Sequence, residues 1–260
     1  MNRIDAVLRT LKEKREKALT LFVTAGFPEL ESTVPLVLEL VRAGADIIEI
    51  GMPFSDPLAD GPVIQESSHR ALRNGITLKK ILSQVIEIRR STEVPLVLMG
   101  YLTPILSYGA QQFFSDAARA GVDGMILPEA PLEESEHYTD LAAGNGMCFI
   151  QMVSPATPAA RMKIIDRHAN GFVYCVSHTG VTGNSQSKTK IDYLRQVAKN
   201  IKRKPVLIGF GISSFRDVSG IKKYAAGVII GSALLTRLAG GEGKISIKRW
   251  ISDIKEECRK

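Results

Sequence analysis

The chain has 260 residues, of which 45% are hydrophobic and 23% charged, and its formal net charge is +7 at pH 7. These values are typical of a globular protein with a substantial core. No apolar run is long enough to span a bilayer, and the N-terminus lacks the apolar core of a signal peptide. We therefore expect a cytoplasmic protein with no membrane contact.

The basic excess does not by itself indicate nucleic acid as a partner. Its densest tract, residues 199–204, ends a predicted helix, where basic side chains complement the helix dipole, and it is not interleaved with aromatic residues. A phosphorylated metabolite suits a mildly basic protein equally well. Neither the three cysteines nor any group of His, Asp and Glu has metal-ligand spacing, so we expect no metal site and no disulfide framework.

An N-terminal helical segment, to about Arg15, precedes eight apolar runs that are typical of strands. Amphipathic segments separate them, with apolar residues at helical spacing from Val34 to Val41 and from Leu78 to Ile86. Glycines end several of these helical segments and are expected to supply left-handed caps. The runs are residues 18–24, 46–50, 94–100, 122–128, 147–153, 171–177, 205–210 and 227–231, and the expected caps are Gly44, Gly121 and Gly227.

Eight alternations of strand and helix predict an α/β fold, a single (β/α)8 TIM barrel over residues 1–260 with an extra N-terminal helix and extended βα loops 2 and 6. A doubly wound open sheet is the alternative. It gives no reason for eight units, and no G-x-G-x-x-G motif follows the first run. The barrel predicts that the functional groups lie in the loops that leave the strands at their C-terminal ends.

Glu49 stands among isoleucines in the second run, and Asp60 follows in the next loop. A buried carboxylate is costly, so Glu49 either pairs with a buried Arg or Lys, sits at the wet end of its strand, or has a chemical role. Two carboxyl groups at the C-terminal end of a barrel strand are candidates for an acid and a base. No lysine lies at a strand end, which makes a Schiff-base enzyme a poor fit.

The last three βα loops are rich in glycine. Gly211, Gly231 and Ser232 lie after the seventh and eighth runs, where barrels often bind phosphate through backbone N–H groups and a helix N-terminus. His178 lies in the loop before them and is more typical of a surface or hydrogen-bonding residue than of a base. The pattern predicts acid–base chemistry on a phosphorylated small molecule without a cofactor.

Residues 48–65, I-E-I-G-M-P-F-S-D-P-L-A-D-G-P-V-I-Q, resemble the signature of the tryptophan synthase alpha chain family. The later motifs G-V-T-G (180–183), G-F-G-I-S (209–213) and G-S-A (231–233) resemble that family's loops, and the resemblance extends from the first helix to the last. It implies a lyase that cleaves indole-3-glycerol phosphate to indole and glyceraldehyde 3-phosphate. The alternative is a catalytically weak barrel that acts mainly as the allosteric partner of a beta chain.

The resemblance also implies roles for individual residues. Glu49 matches the family's acid and base, and Asp60 matches the group that stabilises charge at the indole N–H. The other matches bind substrate: Gly183, Gly211, Gly231 and Ser232 contact phosphate, Phe22 and Tyr174 line the indole pocket, and Thr182 orders Asp60 from a mobile loop.

Family members pass indole to a beta chain in an α2β2 complex, and pyridoxal phosphate is expected only in that partner. Residues similar to the family's partner-facing surface are Asp56, Pro57, Tyr101, Leu102, Thr103 and Pro104, within a loop expected from Tyr101 to Tyr108. Leu102 and Thr103 stand where the family often has tyrosine and asparagine, and L-P-E-A-P (127–131) replaces a more usual P-D-L-P. The first departure concerns the interface rather than the chemistry.

Overall fold

A computed structural model describes residues 1–176, 188–209 and 211–260 and shows a barrel of parallel strands. The neighbour order in the sheet is β5-β4-β3-β2-β1-β9-β8-β7-β6. Its two ends, β5 and β6, are halves of one segment on either side of Ile150, so the ring closes through that residue. Within the described ranges the strands are β1 (Ala18–Thr24), β2 (Ile47–Gly51), β3 (Leu96–Met99), β4 (Gly124–Ile126), β5 (Cys148–Phe149), β6 (Gln151–Val153), β7 (Val173–Val176), β8 (Val206–Gly209) and β9 (Gly227–Ile230).

The predicted (β/α)8 barrel is confirmed, and each of the eight apolar runs contains strand. The first run matches β1 at both ends, whereas the others are shorter than predicted or shifted by a residue. Residues 177 and 210, which end two predicted runs, lie outside the described part of the chain, and so does the sixth βα loop.

Helices surround the barrel and connect its strands. Between β2 and β3, and between β3 and β4, the chain forms two helices instead of one. The described helices are α1 (Arg3–Glu13), α2 (Thr33–Ala43), α3 (Pro62–Arg73), α4 (Leu78–Arg89), α5 (Leu102–Tyr108), α6 (Ala110–Ala120), α7 (Glu136–Gly144), α8 (Ala159–His168), α9 (Lys188–Asn200), α10 (Phe215–Ile221), α11 (Ser232–Ala239) and α12 (Lys244–Arg259), with 3-10 turns at Leu30–Ser32 and Lys222–Tyr224.

Helix α1 covers the N-terminal end of the barrel. Ile4, Leu8 and Leu11 are buried and form one apolar cluster with inward-facing strand residues such as Ile47. The Asn2 side chain caps α1 by accepting a hydrogen bond from the Ile4 N–H, and its amide donates to the Asp123 carbonyl just before β4. Helix α1 does not cover the opposite, C-terminal end of the barrel, where the functional groups are expected.

The strand register decides which side chains face the barrel interior. Phe22 on β1 aligns with Glu49 on β2, and Glu49 aligns with Val97 on β3. Because successive side chains on a strand point to opposite faces, Ile48 and Ile50 lie on the helix-facing side and join the main core. Glu49 therefore points into the barrel.

Two of the three predicted glycine caps are confirmed. Gly44 and Gly121 follow α2 and α6 with φ of 112° and 98°, a left-handed conformation that glycine adopts without a Cβ penalty. The prediction for Gly227 is wrong, because this residue begins β9. A Cβ there would lie 2.6 Å from the carbonyl oxygen of Ala18, so close packing of β9 on β1 requires glycine.

The predicted loop from Tyr101 to Tyr108 is also wrong, because Leu102–Tyr108 forms helix α5. Proline at the third position of this helix is compatible with its first turn, where no intrahelical N–H bond is lost. The helix buries Ile105 fully, half-buries Leu102 and leaves Leu106 exposed. Only part of the apolar surface of the segment thus reaches solvent.

Candidate active site

Glu49 is fully buried near the C-terminal end of β2. Neither of its carboxylate oxygens has a hydrogen-bond partner among the described residues. Burial alone raises the pKa of this carboxyl to about 8, because the charged form loses its hydration and gains no compensating partner. Pairing with a buried Arg or Lys and a position at a wet strand end are both excluded within the described structure. At neutral pH the side chain is a protonated acid.

Asp60 lies in the loop between β2 and α3. The Asp60 N–H donates to the Pro57 carbonyl at 3.0 Å, and the Gln65 amide donates to the Asp60 carbonyl at 2.9 Å, so the backbone is held on both sides. Burial raises the pKa of the Asp60 carboxyl to about 6, and a hydrogen bond from Tyr101 opposes that rise. Asp60 is therefore largely ionised at pH 7, in contrast to Glu49.

Tyr101, which the sequence placed on a partner-facing surface, is buried beside Asp60. Its hydroxyl oxygen accepts a hydrogen bond from the Ala59 N–H at 3.0 Å, and its ring lies 5.4 Å from the ring of Phe54. Its pKa is raised, first by burial and then by the charge of Asp60. Sequence reasoning missed this contact, although the position of Tyr101 just after β3 was a usable signal.

A small cavity that opens to solvent lies at the C-terminal ends of β1 to β4. The Phe22 ring packs directly on Gly51, where a Cβ would lie 2.5 Å from the ring carbon Cζ. Glu49 shares the inward face of β2 with Gly51, one step deeper in the barrel. The lining residues are Phe22, Gly51, Met52, Asp60, Ile64, Ser68, Met99, Gly100, Tyr101 and Pro128, of which the sequence analysis had named Phe22, Asp60 and Tyr101.

Tyr174 on β7 reaches the same region from the other side of the barrel. It is buried, and its hydroxyl lies against Gly209, where it would overlap any Cβ. Its pKa is raised by burial first, then by the charges of Glu49 and, more weakly, Asp60. Both carboxyl groups thus act on one tyrosine, which places them around a common interior.

The predicted phosphate residues lie at the ends of two neighbouring strands. Gly211 follows β8 with φ of 71°, and Gly231 follows β9 as the N-cap of α11, whose first residue is Ser232. The N–H groups in the first turn of a helix have no intrahelical acceptor and favour an anion. Gly183, the fourth predicted residue, and Thr182 both lie outside the described residues.

The predicted partner-facing residues differ in exposure. Asp56 and Thr103 are exposed, Leu102 and Pro104 are half-buried, and Pro57 is buried. Leu58, which the sequence analysis did not single out, is 93% exposed in the same loop as Asp56. An exposed leucine at the tip of this loop is an apolar contact available to another protein.

No group of three or more His, Cys, Asp or Glu residues in the described ranges is arranged to hold a metal ion. In the same ranges, no helix combines the length and apolar character needed to cross a membrane.

Fold and site together define a barrel protein with one neutral and one ionised carboxyl group near the strand ends: Asp60 lines the cavity, and Glu49 lies deeper on the inward face of β2. Such a pair suits acid–base chemistry, because the two groups differ in protonation at the same pH.

Comparison with known proteins gives the family. Residues 8–258 match the family model of the tryptophan synthase alpha chain, and the chain belongs to this family. It is the alpha subunit of tryptophan synthase, a lyase that cleaves indole-3-glycerol phosphate.

Individual relatives match over nearly their whole length. A tryptophan synthase alpha chain from Geotalea daltonii is 44% identical over 246 residues, which cover 94% of this chain and 93% of that protein. One from Thermoanaerobacter sp. strain X514 is 42% identical over 261 residues, with coverage of 98% and 99%. The crystal structure of the Legionella pneumophila alpha subunit has a TM-score of 0.89 at 36% identity, and covers 99% of this chain and 98% of that one. A structure of Mycobacterium tuberculosis tryptophan synthase has a TM-score of 0.91 at 32% identity, with coverage of 100% and 99%.

Proposed function

We propose that Glu49 and Asp60 carry out the cleavage of indole-3-glycerol phosphate in this chain. The observation that supports this most directly is the state of Glu49, which is fully buried in the barrel and unpaired within the described structure. A carboxyl group kept neutral by its surroundings can act as an acid at pH 7. Fold stability alone gives no reason for an acid at this position, because an apolar side chain would avoid the desolvation cost.

Glu49 supplies and recovers one proton. In the first step its carboxyl group protonates C3 of the indole ring, which leaves a carboxylate on Glu49 and a positive charge on the ring. The carboxylate then takes the proton from the hydroxyl on the carbon bonded to C3. The bond between C3 and that carbon breaks, its electron pair returns to the ring, and indole and glyceraldehyde 3-phosphate are released. Glu49 ends protonated, ready for the next cycle.

Asp60 stabilises the charged ring between these two steps. Its carboxylate accepts a hydrogen bond from the ring N–H, which becomes more acidic when C3 is protonated. This positive charge develops only during the reaction. Asp60 therefore stabilises the transition state more than the bound substrate, which lowers the activation free energy. The pKa of about 6 keeps Asp60 ionised for this role at neutral pH.

The phosphate group is bound at the other side of the opening. Gly211, Gly231 and Ser232 present backbone N–H groups at the ends of β8 and β9, and the dipole of α11 favours the anion. Gly183 joins them by resemblance to the family. Phe22 and Tyr174 form the apolar walls for the indole ring, and resemblance to the family assigns to Thr182 the ordering of Asp60.

The chain acts as a single barrel domain over residues 1–260 in an α2β2 complex with a tryptophan synthase beta chain, in the cytoplasm. Pyridoxal phosphate belongs to that partner, and this chain carries no cofactor. Asp56, Pro57 and the first turn of α5 with Leu102, Thr103 and Pro104 face the beta chain. Tyr101 connects this surface to the cavity, and the exposed Leu58 supports an apolar contact there.

Indole release tests the proposal. The purified chain is assayed on indole-3-glycerol phosphate with and without a beta chain, together with Glu49→Gln and Asp60→Asn. Glu87→Gln and Asp253→Asn serve as controls, because both residues are exposed on outer helices. We expect slow release by the chain alone, a rise with the beta chain, and a loss of at least about a hundredfold in kcat for each site variant.

Full activity of Glu49→Gln would overturn the assignment. Substrate binding without indole release by the unmodified chain, combined with activation of the beta chain, would instead support the catalytically weak partner. Inorganic phosphate provides a separate readout for the anion site, since it should raise the thermal midpoint of the wild type more than that of Ser232→Pro.

A further inference from the structure

Tyr101 is more deeply buried than a contact with a beta chain would require. It is the N-cap of α5, immediately after β3 and Gly100, and its side chain turns inward so that only 4% of the residue is exposed. The ring lines the cavity next to Asp60 and lies tilted against Phe54. Its hydroxyl thus reaches the Asp60 loop from inside the site.

The direction of the hydrogen bonds at this hydroxyl is fixed. The Ala59 N–H donates to the Tyr101 oxygen at 3.0 Å, so the oxygen acts as acceptor on that side. Its own proton remains available to the neighbouring Asp60 carboxyl group, and this interaction lowers the pKa of Asp60. Tyr101 therefore holds the backbone of one residue and the side chain of the next, which defines both the place and the orientation of Asp60.

The base of Tyr101 is fixed by a second loop. The N–H of Leu102, the next residue, donates to a carboxylate oxygen of Glu129 from the loop after β4. The rings of Tyr101 and Phe54 restrict rotation on the other side. A hydroxyl carried on an anchored side chain loses little additional entropy when it orients another group.

We propose that Tyr101 is a positioning residue for the lyase reaction, which holds Asp60 in its ionised form and aimed at the indole N–H. This inference rests on the role proposed above for Asp60. It assigns to Tyr101 a function in the chemistry in addition to any contact with the beta chain.

Within the described residues, Tyr101, after β3, acts on Asp60, and Asp60 in turn acts on Tyr174, on β7. Glu129, after β4, acts on Tyr101. Burial raises the pKa of Asp60, and the Tyr101 hydrogen bond is the described contact that lowers it. Removal of the hydroxyl should therefore raise the pKa of Asp60 further and reduce the fraction of ionised enzyme at neutral pH.

The test is Tyr101→Phe, which retains the ring and its packing and removes only the hydroxyl. Tyr108→Phe is the matched control, because the Tyr108 hydroxyl also donates to a carboxylate, that of Asp116 at 2.8 Å, at the far end of the same helix. Both are assayed as the full chain without beta chain, with kcat and kcat/KM for indole-3-glycerol phosphate measured from pH 5 to 9. Asp60→Asn and the double variant Tyr101→Phe/Asp60→Asn complete the set.

For Tyr101→Phe we expect kcat to fall about tenfold and the acid limb of kcat/KM to move up by about one pH unit. Tyr108→Phe should match the wild type in both. In the Asp60→Asn background, Tyr101→Phe should have no further effect on the pH profile. A role in packing alone would lower the thermal midpoint without moving the acid limb.

The outcomes separate the two claims. If Asp60→Asn is inactive but Tyr101→Phe has the same kcat and acid limb as Tyr108→Phe, the inference about Tyr101 is overturned and the role of Asp60 stands. If Asp60→Asn retains full activity, the proposed role of Asp60 fails, and the inference about Tyr101 fails with it.

Discussion

Phe22 and Glu49 are register partners on the neighbouring strands β1 and β2, so the carboxyl group of Glu49 stands beside an aromatic ring inside the barrel. Both side chains are buried, and the same phenylalanine packs on Gly51 at the base of the cavity. An apolar ring next to an unpaired acid excludes water from it. This relationship accounts for the raised pKa of Glu49. Because the pKa differs between the folded and the unfolded chain, protonation of Glu49 also affects how the unfolding free energy depends on pH.

Glu49→Gln should stabilise the protein increasingly as the pH rises. The pKa of Glu49 is about 8 in the folded chain and has a reference value of 4.5, so the unfolded chain loses this proton first. Between these values the wild type loses up to about 1.4 kcal/mol of unfolding free energy per pH unit through this group. Glutamine does not titrate and avoids that loss.

Urea unfolding of both proteins at pH 5, 6.5 and 8 measures the difference, because the other titrating groups contribute equally to the two chains. We expect the stability difference to be small at pH 5 and largest at pH 8. A difference that stays constant over this range would mean that Glu49 does not have a raised pKa.

The pH dependence of the lyase reaction should be bell-shaped. Asp60 must be ionised, which requires a pH above about 6, and Glu49 must start protonated, which requires a pH below about 8. Activity should thus be highest near pH 7 and fall on both sides. The measurement is kcat/KM for indole-3-glycerol phosphate between pH 5 and 9. Activity that rises steadily to pH 9 would show that the ionised form of Glu49 starts the reaction.

Gly51→Ala should impair substrate binding through Phe22. The added Cβ would lie 2.5 Å from Cζ of the Phe22 ring, so the ring must shift toward the cavity. We expect KM to rise about tenfold and stability to fall by about 1–3 kcal/mol, as for other overpacked positions.

Gly243→Ala is the matched control for this change. Gly243 has an ordinary φ of −64° before α12, and no atom lies within 4 Å of a Cβ built there. It should leave both KM and stability close to the wild type. Equal effects of the two substitutions would contradict the contact between Gly51 and Phe22 as the cause.

Much of the barrel could be predicted from the sequence because its strands are continuous apolar runs, buried on both faces, with glycine caps such as Gly44 and Gly121 before them. The division of two connections into paired helices was missed, since α5 has only seven residues and the twelve residues of α3 are mostly polar. Gly227 was misassigned because a glycine after small residues resembles a cap, whereas close contact with Ala18 requires it here.

The candidate site was predictable only in part. The positions of Glu49 and Asp60 near one strand end followed from the motif and the parallel sheet. Whether Glu49 has a partner depends on residues far away in the sequence. The sequence was therefore compatible with an ion pair, a position at a wet strand end or a chemical role, whereas the structure places Glu49 among apolar side chains. Tyr101 was assigned to a surface because sequence position does not reveal that its side chain turns inward toward Ala59 and Asp60.

Asp123→Ala should reduce stability without changing the chemistry. The Asp123 carboxylate accepts hydrogen bonds from Arg89 at 2.9 Å, from the Leu96 N–H at 2.8 Å and from Arg3 at 3.1 Å, all at the N-terminal end of the barrel. Loss of one partner of a buried ion pair costs about 3–5 kcal/mol. The folded fraction of the variant should keep the kcat of the wild type, because the candidate active site lies at the C-terminal end of the barrel, away from Asp123.

Asp192→Ala is the comparison for this variant, because it removes an exposed Asp–Arg pair with Arg195 on α9. Its effect on unfolding free energy should be below about 1 kcal/mol. Denaturant unfolding and indole release, measured on both proteins, check the prediction. A large loss of kcat in folded Asp123→Ala would show that the two ends of the barrel are coupled.

The most direct test of the account is the protonation state of Glu49 itself, measured by infrared titration of the wild type against Glu49→Gln. We predict a carbonyl band of a protonated carboxyl group that is present in the wild type at pH 7, absent from the variant, and lost with a midpoint near pH 8. A Glu49 carboxylate that is already ionised at pH 6 would contradict the account, because the reaction would then lack its acid.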